Sequence, residues 1–408
     1  MTISRREVMK LLAASPFAGA QAATAQSPPA RGRRVIAAGA DTFLIEPDAS
    51  VKAWSLMDPY GWRFGLGHSE RVKKYTAYDV PLKNVVTIAA AVNTAYAVLS
   101  NGTVMAWGGN FRGELGATPR SEVEITAGGR ATAQSPIPVL DITDAIDIAA
   151  GDYHALAVTR GGQLWVWGYN LYEQIGIEMP IINFKTHTPA AMQYLPFPVR
   201  VAGVTDVVAA AGGSSHSLAL LKDGTVRSWG TNKMGQLGDG TTVNRKLPVR
   251  VAAVQNAVAI AADGEFSAAL LADGTVMTWG SSNGPHGRLG LSDDTPCPTP
   301  TLVPGATGIR VISIGGEHMV GLTRAGTVLA WGHSRYGEVG HPGIGAAPMA
   351  GLTNVASVAA YASRTFAVLA NGTIMVIGAV PYWARFAGDK GVSTFPIPLV
   401  IKNLKNPM

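Results

Sequence analysis

Apolar positions along the chain fall into short runs, and each run is stopped by a turn signal before it could form a helical face. In the clearest segment, the small-residue run Val207-Val-Ala-Ala-Ala-Gly212 is followed by the apolar run His216-Ser-Leu-Ala-Leu-Leu221. The pair Asp223-Gly224 and the stretch Thr225-Val-Arg-Ser-Trp229-Gly230 come next. Runs of this length, rich in Val and separated by Gly and Asp, predict strands. Asp-Gly accepts positive φ at both central positions of a two-residue loop, so it predicts a tight hairpin between the second and third strands. The Pro-flanked run Pro248 to Val251 supplies a fourth strand.

The same unit recurs. Asn101-Gly-Thr-Val-Met-Ala-Trp107-Gly108, Asp273-Gly-Thr-Val-Met-Thr-Trp279-Gly280 and Ala325-Gly-Thr-Val-Leu-Ala-Trp331-Gly332 repeat the hairpin closely, and Gly161-Gly-Gln-Leu-Trp-Val-Trp167-Gly168 repeats it with altered turn chemistry. Two outer copies have decayed, Asp48-Ala-Ser-Val-Lys-Ala-Trp54-Ser55 and Asn371-Gly-Thr-Ile-Met-Val-Ile377-Gly378. The anchors at 54, 107, 167, 229, 279, 331 and 377 lie 46 to 62 residues apart and number seven. Seven units of four short antiparallel strands predict an all-β fold, a seven-bladed β-propeller of four-stranded antiparallel blades. Small first strands fit this arrangement, because seven innermost strands crowd a narrow channel, while Trp and Val fill the wider wedge outside. The frame can slide by one strand, so whether one blade combines the two chain ends is left open.

The unit Ile/Val-Ala-Ala-Gly-x-x-His-Ser-Leu-Ala-Leu, then Asp-Gly-Thr-Val-x-x-Trp-Gly-x-Asn-x-x-Gly-Gln-Leu-Gly, resembles the repeat of the regulator of chromosome condensation family. Residues 207 to 240 carry it almost throughout, ending in Thr231-Asn232-Lys233-Met234-Gly235-Gln236-Leu237-Gly238. The resemblance runs from about Val35 to Leu404. It implies a propeller that binds protein partners through its loops, as do relatives that exchange nucleotide on a small nuclear GTPase and relatives that inhibit β-lactamases. It implies no particular chemistry, because propellers host unrelated activities.

The start of the chain changes the expected compartment. A basic start, the mildly apolar run Leu11 to Ala25 and small-residue cleavage sites predict a signal peptide over residues 1–25. Ser4-Arg5-Arg6-Glu7-Val8-Met9-Lys10 resembles the bacterial twin-arginine signal, with Val8 and Met9 where Phe and Leu are favoured. That resemblance implies folding in the cytoplasm followed by work in the periplasm or outside the cell, and it argues against a nuclear role. The expected organisation is a signal at 1–25, a linker at 26–34, the propeller at 35–404 and a tail at 405–408.

Composition narrows the function. Of 408 residues, 48 are Gly and 15% are charged, which suits repeated turns and blades buried on both faces and excludes a disordered chain. Removing residues 1–25 takes three basic residues and one acidic residue and lowers the net charge from +6 to +4. So mild a surplus predicts no nucleic-acid partner. No later run is long enough to span a bilayer, so no stable membrane anchor is expected after cleavage, and a monomer is expected. The single Cys297 forms no internal disulfide and no Cys-rich metal site.

Candidate chemistry is sparse. His154, His216 and His318 recur at one point of the unit, with Ser267, Thr365 and Ala95 read as equivalents elsewhere. A metal ring lacks the close spacings of known sites, and each His is expected to hydrogen-bond its own turn. No nucleophile elbow or phosphate-cradling loop is present, so no catalytic residue, cofactor or metal is assigned. The loops after the Trp anchors hold more. The first unit carries Tyr60, Trp62 and Arg63, the second Phe111 and Arg112, the third Tyr169 and Tyr172, and the last Tyr382, Trp383 and Arg385. In a closed ring these loops form an arc on one face, and Trp, Tyr and Arg are enriched at protein-binding hot spots. Two placements stay open: an exposed interface for a protein or cell-envelope partner, or rings folded back into the seam between the first and last units, especially Phe64 and Phe386. The alternative function is a glycan-active or lyase-type propeller enzyme with Asp152, His154 and Glu317 at the channel mouth.

Overall fold

Seven sheets arranged around a central channel make up the computed structural model. It describes residues 34–400 except 39–40, 56–60, 69, 73–76, 118–122, 126–130, 179–193, 283–286, 292–294, 335–336, 338, 340–343, 362 and 381–392. The innermost strands are Arg34–Ala38, Val85–Ala90, Ala145–Ala150, Val207–Gly212, Ala257–Asp263, Ile309–Ile314 and Val355–Tyr361. In the fourth blade the remaining strands are His216–Leu221, Val226–Gly230 and Arg245–Arg250, paired antiparallel in chain order. Five other blades share that order. The second adds a fifth strand, Val123–Ile125, outside Ala131–Pro138, so part of its long insertion extends the sheet.

Every blade is a consecutive stretch of chain. The ring closes where Arg34–Ala38 packs against Val355–Tyr361, which settles the frame that the sequence left open. In blades two to seven the second residue of the innermost strand is bulged, for example between Ala145 and Asp147 and between Val207 and Ala209. A bulge increases local twist.

The wedge between blades is filled by Trp54, Trp107, Trp167, Trp229, Trp279 and Trp331, all buried, with Ile377 in the seventh position. Trp107, Trp167, Trp229, Trp279 and Trp331 each pack in one apolar cluster with the preceding blade. Trp229, for instance, joins Leu156, Val166 and Ile175 of the third blade in one apolar cluster. The Gly after the Trp has a structural cause. Gly230 has φ +104°, and a Cβ there would stand 2.5 Å from the Ser215 carbonyl oxygen. Only glycine tolerates both conditions.

Candidate functional site

Antiparallel order places the turn between the first and second strands of each blade on the same face as the loop between its third and fourth strands. The Asn-Gly and Asp-Gly hairpins lie on the opposite face. The candidate loops therefore share a face with the channel mouth, and the seams beneath that face hold them in position.

Those seams are built by hydrogen bonds between successive blades. His154 Nε2 lies 2.9 Å from Ser217 Oγ, His216 Nε2 lies 2.8 Å from Ser267 Oγ, and His318 Nε2 lies 2.9 Å from Thr365 Oγ1. This corrects the expectation that each His bonds its own turn. It also shifts the repeat alignment by one residue: His216 pairs with Gly230, whereas Ser217 pairs with Trp229 and Ser267 with Trp279. The His position is thus held by Thr94, Phe266 and Arg364 in the second, fifth and seventh blades, and the hydroxyl belongs to the residue after it. Where Phe266 replaces His, the next blade carries Met319 instead of Ser, and both pack in one apolar cluster.

Chemistry fixes the tautomer. Ser217 donates its hydroxyl proton to the Gln174 carbonyl and Ser267 donates to the Gln236 carbonyl, so His154 and His216 must be the Nε2–H donors. Burial lowers His154 from 6.5 to about 4 and His216 to about 3, so both are neutral in their working range. Both rings are fully buried in their seams, with Nε2 engaged by the hydroxyl of the next blade. The same carbonyls also accept Trp229 Nε1 and Trp279 Nε1, both at 2.9 Å, so each loop is tied to the following blade by two donors.

The second blade varies this scheme. Glu114 stands where Gln174 and Gln236 stand in blades three and four, and its carbonyl accepts Trp167 Nε1 and the Tyr96 hydroxyl, both at 2.7 Å. Its carboxylate accepts the Arg112 backbone N–H at 2.6 Å, as Gln174 Oε1 accepts that of Tyr172 and Gln236 Oε1 that of Met234. Burial raises Glu114 to about 7, against the opposing pull of that N–H.

Held in this way, the Arg112 side chain crosses the seam between blades two and three. Its guanidinium carbon lies 3.9 Å from the centre of the Tyr153 ring and 4.8 Å from that of Tyr169, within cation–π range. Tyr169 meets both Tyr153 and Tyr172 edge-on, with ring centres 6.2 Å apart. Beside them Leu171, Tyr172 and Tyr194 are 46%, 45% and 40% exposed. Tyr194 pairs across the sheet with Tyr169. Tyr153 and Tyr194 were missed in the sequence reading, although Tyr153 sits in the first turn of its blade, just before His154.

Among the candidate residues, the structure brings Arg112, Tyr169 and Tyr172 together, with Phe111 half-buried in the loop beside them. Arg63 stands apart, its guanidinium donating to the Val92 carbonyl at 3.2 Å and its own carbonyl accepting Trp107 Nε1 at 3.1 Å. Phe64 is fully buried against Tyr78 in the seam between blades one and two. Tyr60, Tyr382, Trp383, Arg385, Phe386 and the side chain of Trp62 lie outside the described residues.

The channel itself encloses about 350 Å³, lined by Ala90, Ala150, Ala211 and Ala261 with Asp152 and Asp263 among the polar residues. Burial first, then the Asp152 charge, raises Asp263 to about 6. Glu317 is taken up elsewhere, in an ion pair with Arg288 at 3.2 Å and with its other carboxylate oxygen 2.9 Å from His333 Nδ1. Asp152, His154 and Glu317 consequently occupy three different environments.

Residues 17–298 match the RCC1-like domain, and residues 309–338 match the regulator of chromosome condensation (RCC1) repeat. The chain is 28% identical over 264 residues to the ultraviolet-B receptor UVR8 of Arabidopsis thaliana, covering 64% of this chain and 56% of the receptor. It is 31% identical over 312 residues to the human E3 ubiquitin-protein ligase HERC2, covering 74% of this chain but 6% of the ligase. The chain therefore spans about half of the first relative and a small part of the second. Among solved structures, yeast RCC1 (Prp20) bound to Kap60 aligns with TM-score 0.68 and 20% identity, covering 95% of this chain and 89% of that one. Human WBSCR16 aligns with TM-score 0.64 and 22% identity, covering 84% and 87%. At these identities the likeness is one of fold.

Proposed function

The chain belongs to the family of RCC1-like domains, and on that premise we propose that it is a protein-binding scaffold whose partner docks on the face carrying Arg112, Tyr153, Tyr169 and Tyr172. The observation that carries this reading is the guanidinium stacked on two tyrosines with Leu171, Tyr172 and Tyr194 exposed beside it. Such a group buries large area at small entropic cost and keeps polar handles at its rim. Yeast RCC1 is itself found bound to a protein, Kap60, which supports the class of function and not the choice of face. Tyr60, Trp62, Tyr382, Trp383 and Arg385 extend the same proposed face on sequence grounds.

The N-terminal Ser4-Arg5-Arg6 pattern supports export, which places the partner among proteins or envelope components outside the cytoplasm. The test is co-purification from the native cell envelope with wild type and with Arg112→Ala plus Tyr172→Ser. The reading expects one partner, identified by mass spectrometry, to be lost from the variant while the urea midpoint stays unchanged. Retention of every partner by the variant, or loss that tracks unfolding, refutes it.

A further inference from the structure

On the opposite face, the seam between blades six and seven departs from its counterparts at the bulge. The bulged residue of the innermost strand is Val86, Ile146, Val208, Val258 and Ala356 in the other bulged blades, but Arg310 in the sixth. Its Nη2 donates across the seam to the Ala356 carbonyl at 3.2 Å, which orients the guanidinium. The nearby hairpin turn carries no carboxylate: Asp223 and Asp273 accept the N–H and hydroxyl of the Thr two residues on and Asn101 and Asn371 accept the N–H, whereas the sixth blade carries Ala325 and the third Gly161. A Cβ built on Gly326 would stand 3.4 Å from the next blade's backbone and one on Gly274 3.2 Å, against 2.5 to 2.9 Å for Gly102, Gly162 and Gly224.

A crevice of about 450 Å³ lies at this seam. Its polar lining comes from Arg310, Arg324, Thr353, Asn354 and Asn371, its apolar lining includes Val355 and Leu369, and no carboxylate lines it. Asn371 Oδ1 accepts the Thr373 N–H, and the side-chain amide N–H groups add donors to the lining. Donors and two positive charges without a counter-charge select an anion. Guanidinium groups match phosphate oxygens in pairs, and the volume falls in the range of small-molecule sites.

We propose that this crevice binds a small organic phosphate, with the dianionic phosphoryl group held by Arg310 and Arg324 and the carbon portion against Val355 and Leu369. The site is independent of the partner-binding face. It is tested by calorimetric titration of the full chain at low salt with phenyl phosphate, inorganic phosphate and benzoate as probes. Saturable one-site binding of phenyl phosphate is expected, at least about tenfold tighter than benzoate. Arg324→Gln is expected to weaken it at least about tenfold. Ala325→Asp installs the residue that blades four and five already carry, so the fold is kept while a carboxylate beside Arg310 and Arg324 lowers the formal charge of the crevice from +2 to +1, and the same loss is expected with an unchanged unfolding midpoint. Absence of saturation, binding that survives Ala325→Asp, or equal affinity for benzoate would overturn the assignment.

Discussion

Replacing Ser267 by Ala removes the acceptor that faces His216 across the seam between blades four and five. The structure allows the cost to be worked out. The His216 ring is fully buried, its Nδ1 already has no partner, and Nε2–H would lose the hydroxyl at 2.8 Å. The Gln236 carbonyl suffers less, because it keeps Trp279 Nε1. A buried donor left unsatisfied costs about 1–3 kcal/mol, so about 2 kcal/mol is expected. His216→Phe removes the donor and leaves Ser267 still donating to Gln236, and the fifth blade carries Phe266 in this position. The double variant is therefore expected to cost less than the sum of the two single changes by at least about 1 kcal/mol. Urea unfolding of wild type, both singles and the double measures this cycle. A Ser267→Ala cost below about 0.5 kcal/mol together with additive single changes would show that the His–hydroxyl bond does not hold the seam.

Further outcomes follow from other sites. Glu114→Gln restores the residue used in blades three and four. Since burial raises the folded pKa from 4.5 to about 7, ionisation costs stability as pH rises through that window. The substitution should therefore stabilise the protein by about 2 kcal/mol more at pH 8 than at pH 5, read from paired denaturant curves; an equal effect at both pH values contradicts the assignment. Replacing Arg5 and Arg6 together by Lys should leave precursor in the cytoplasm on fractionation, and undiminished export would remove the twin-arginine reading.

Architecture was legible because each unit contains its own punctuation. Asp223-Gly224 and Asp273-Gly274 mark hairpins locally, and Trp229 and Trp279 set the count, so blade number and strand order needed no long-range information. The frame was not legible, because every seam looks alike until the packing of Arg34–Ala38 on Val355–Tyr361 shows where the ring closes. The seam bonds were hidden for a related reason. His216 and Ser267 are 51 residues apart and occupy adjacent positions of the repeat, so aligning units on each other turned a donor and its acceptor into false equivalents. In the candidate face, Arg112 and Tyr169 were visible as loop residues of suitable type. Tyr153 was not, because its turn is short and only the blade geometry brings it under the guanidinium.

The most direct measurement of the central claim is site-specific photo-crosslinking in the native cell, with a photoreactive amino acid placed at Tyr172 on the proposed binding face or at Asn371 on the opposite one. The account predicts a discrete adduct to one protein from position 172 that disappears when Arg112→Ala is added, and no such adduct from position 371. Adducts of the same protein from both faces, or from position 371 alone, would contradict it.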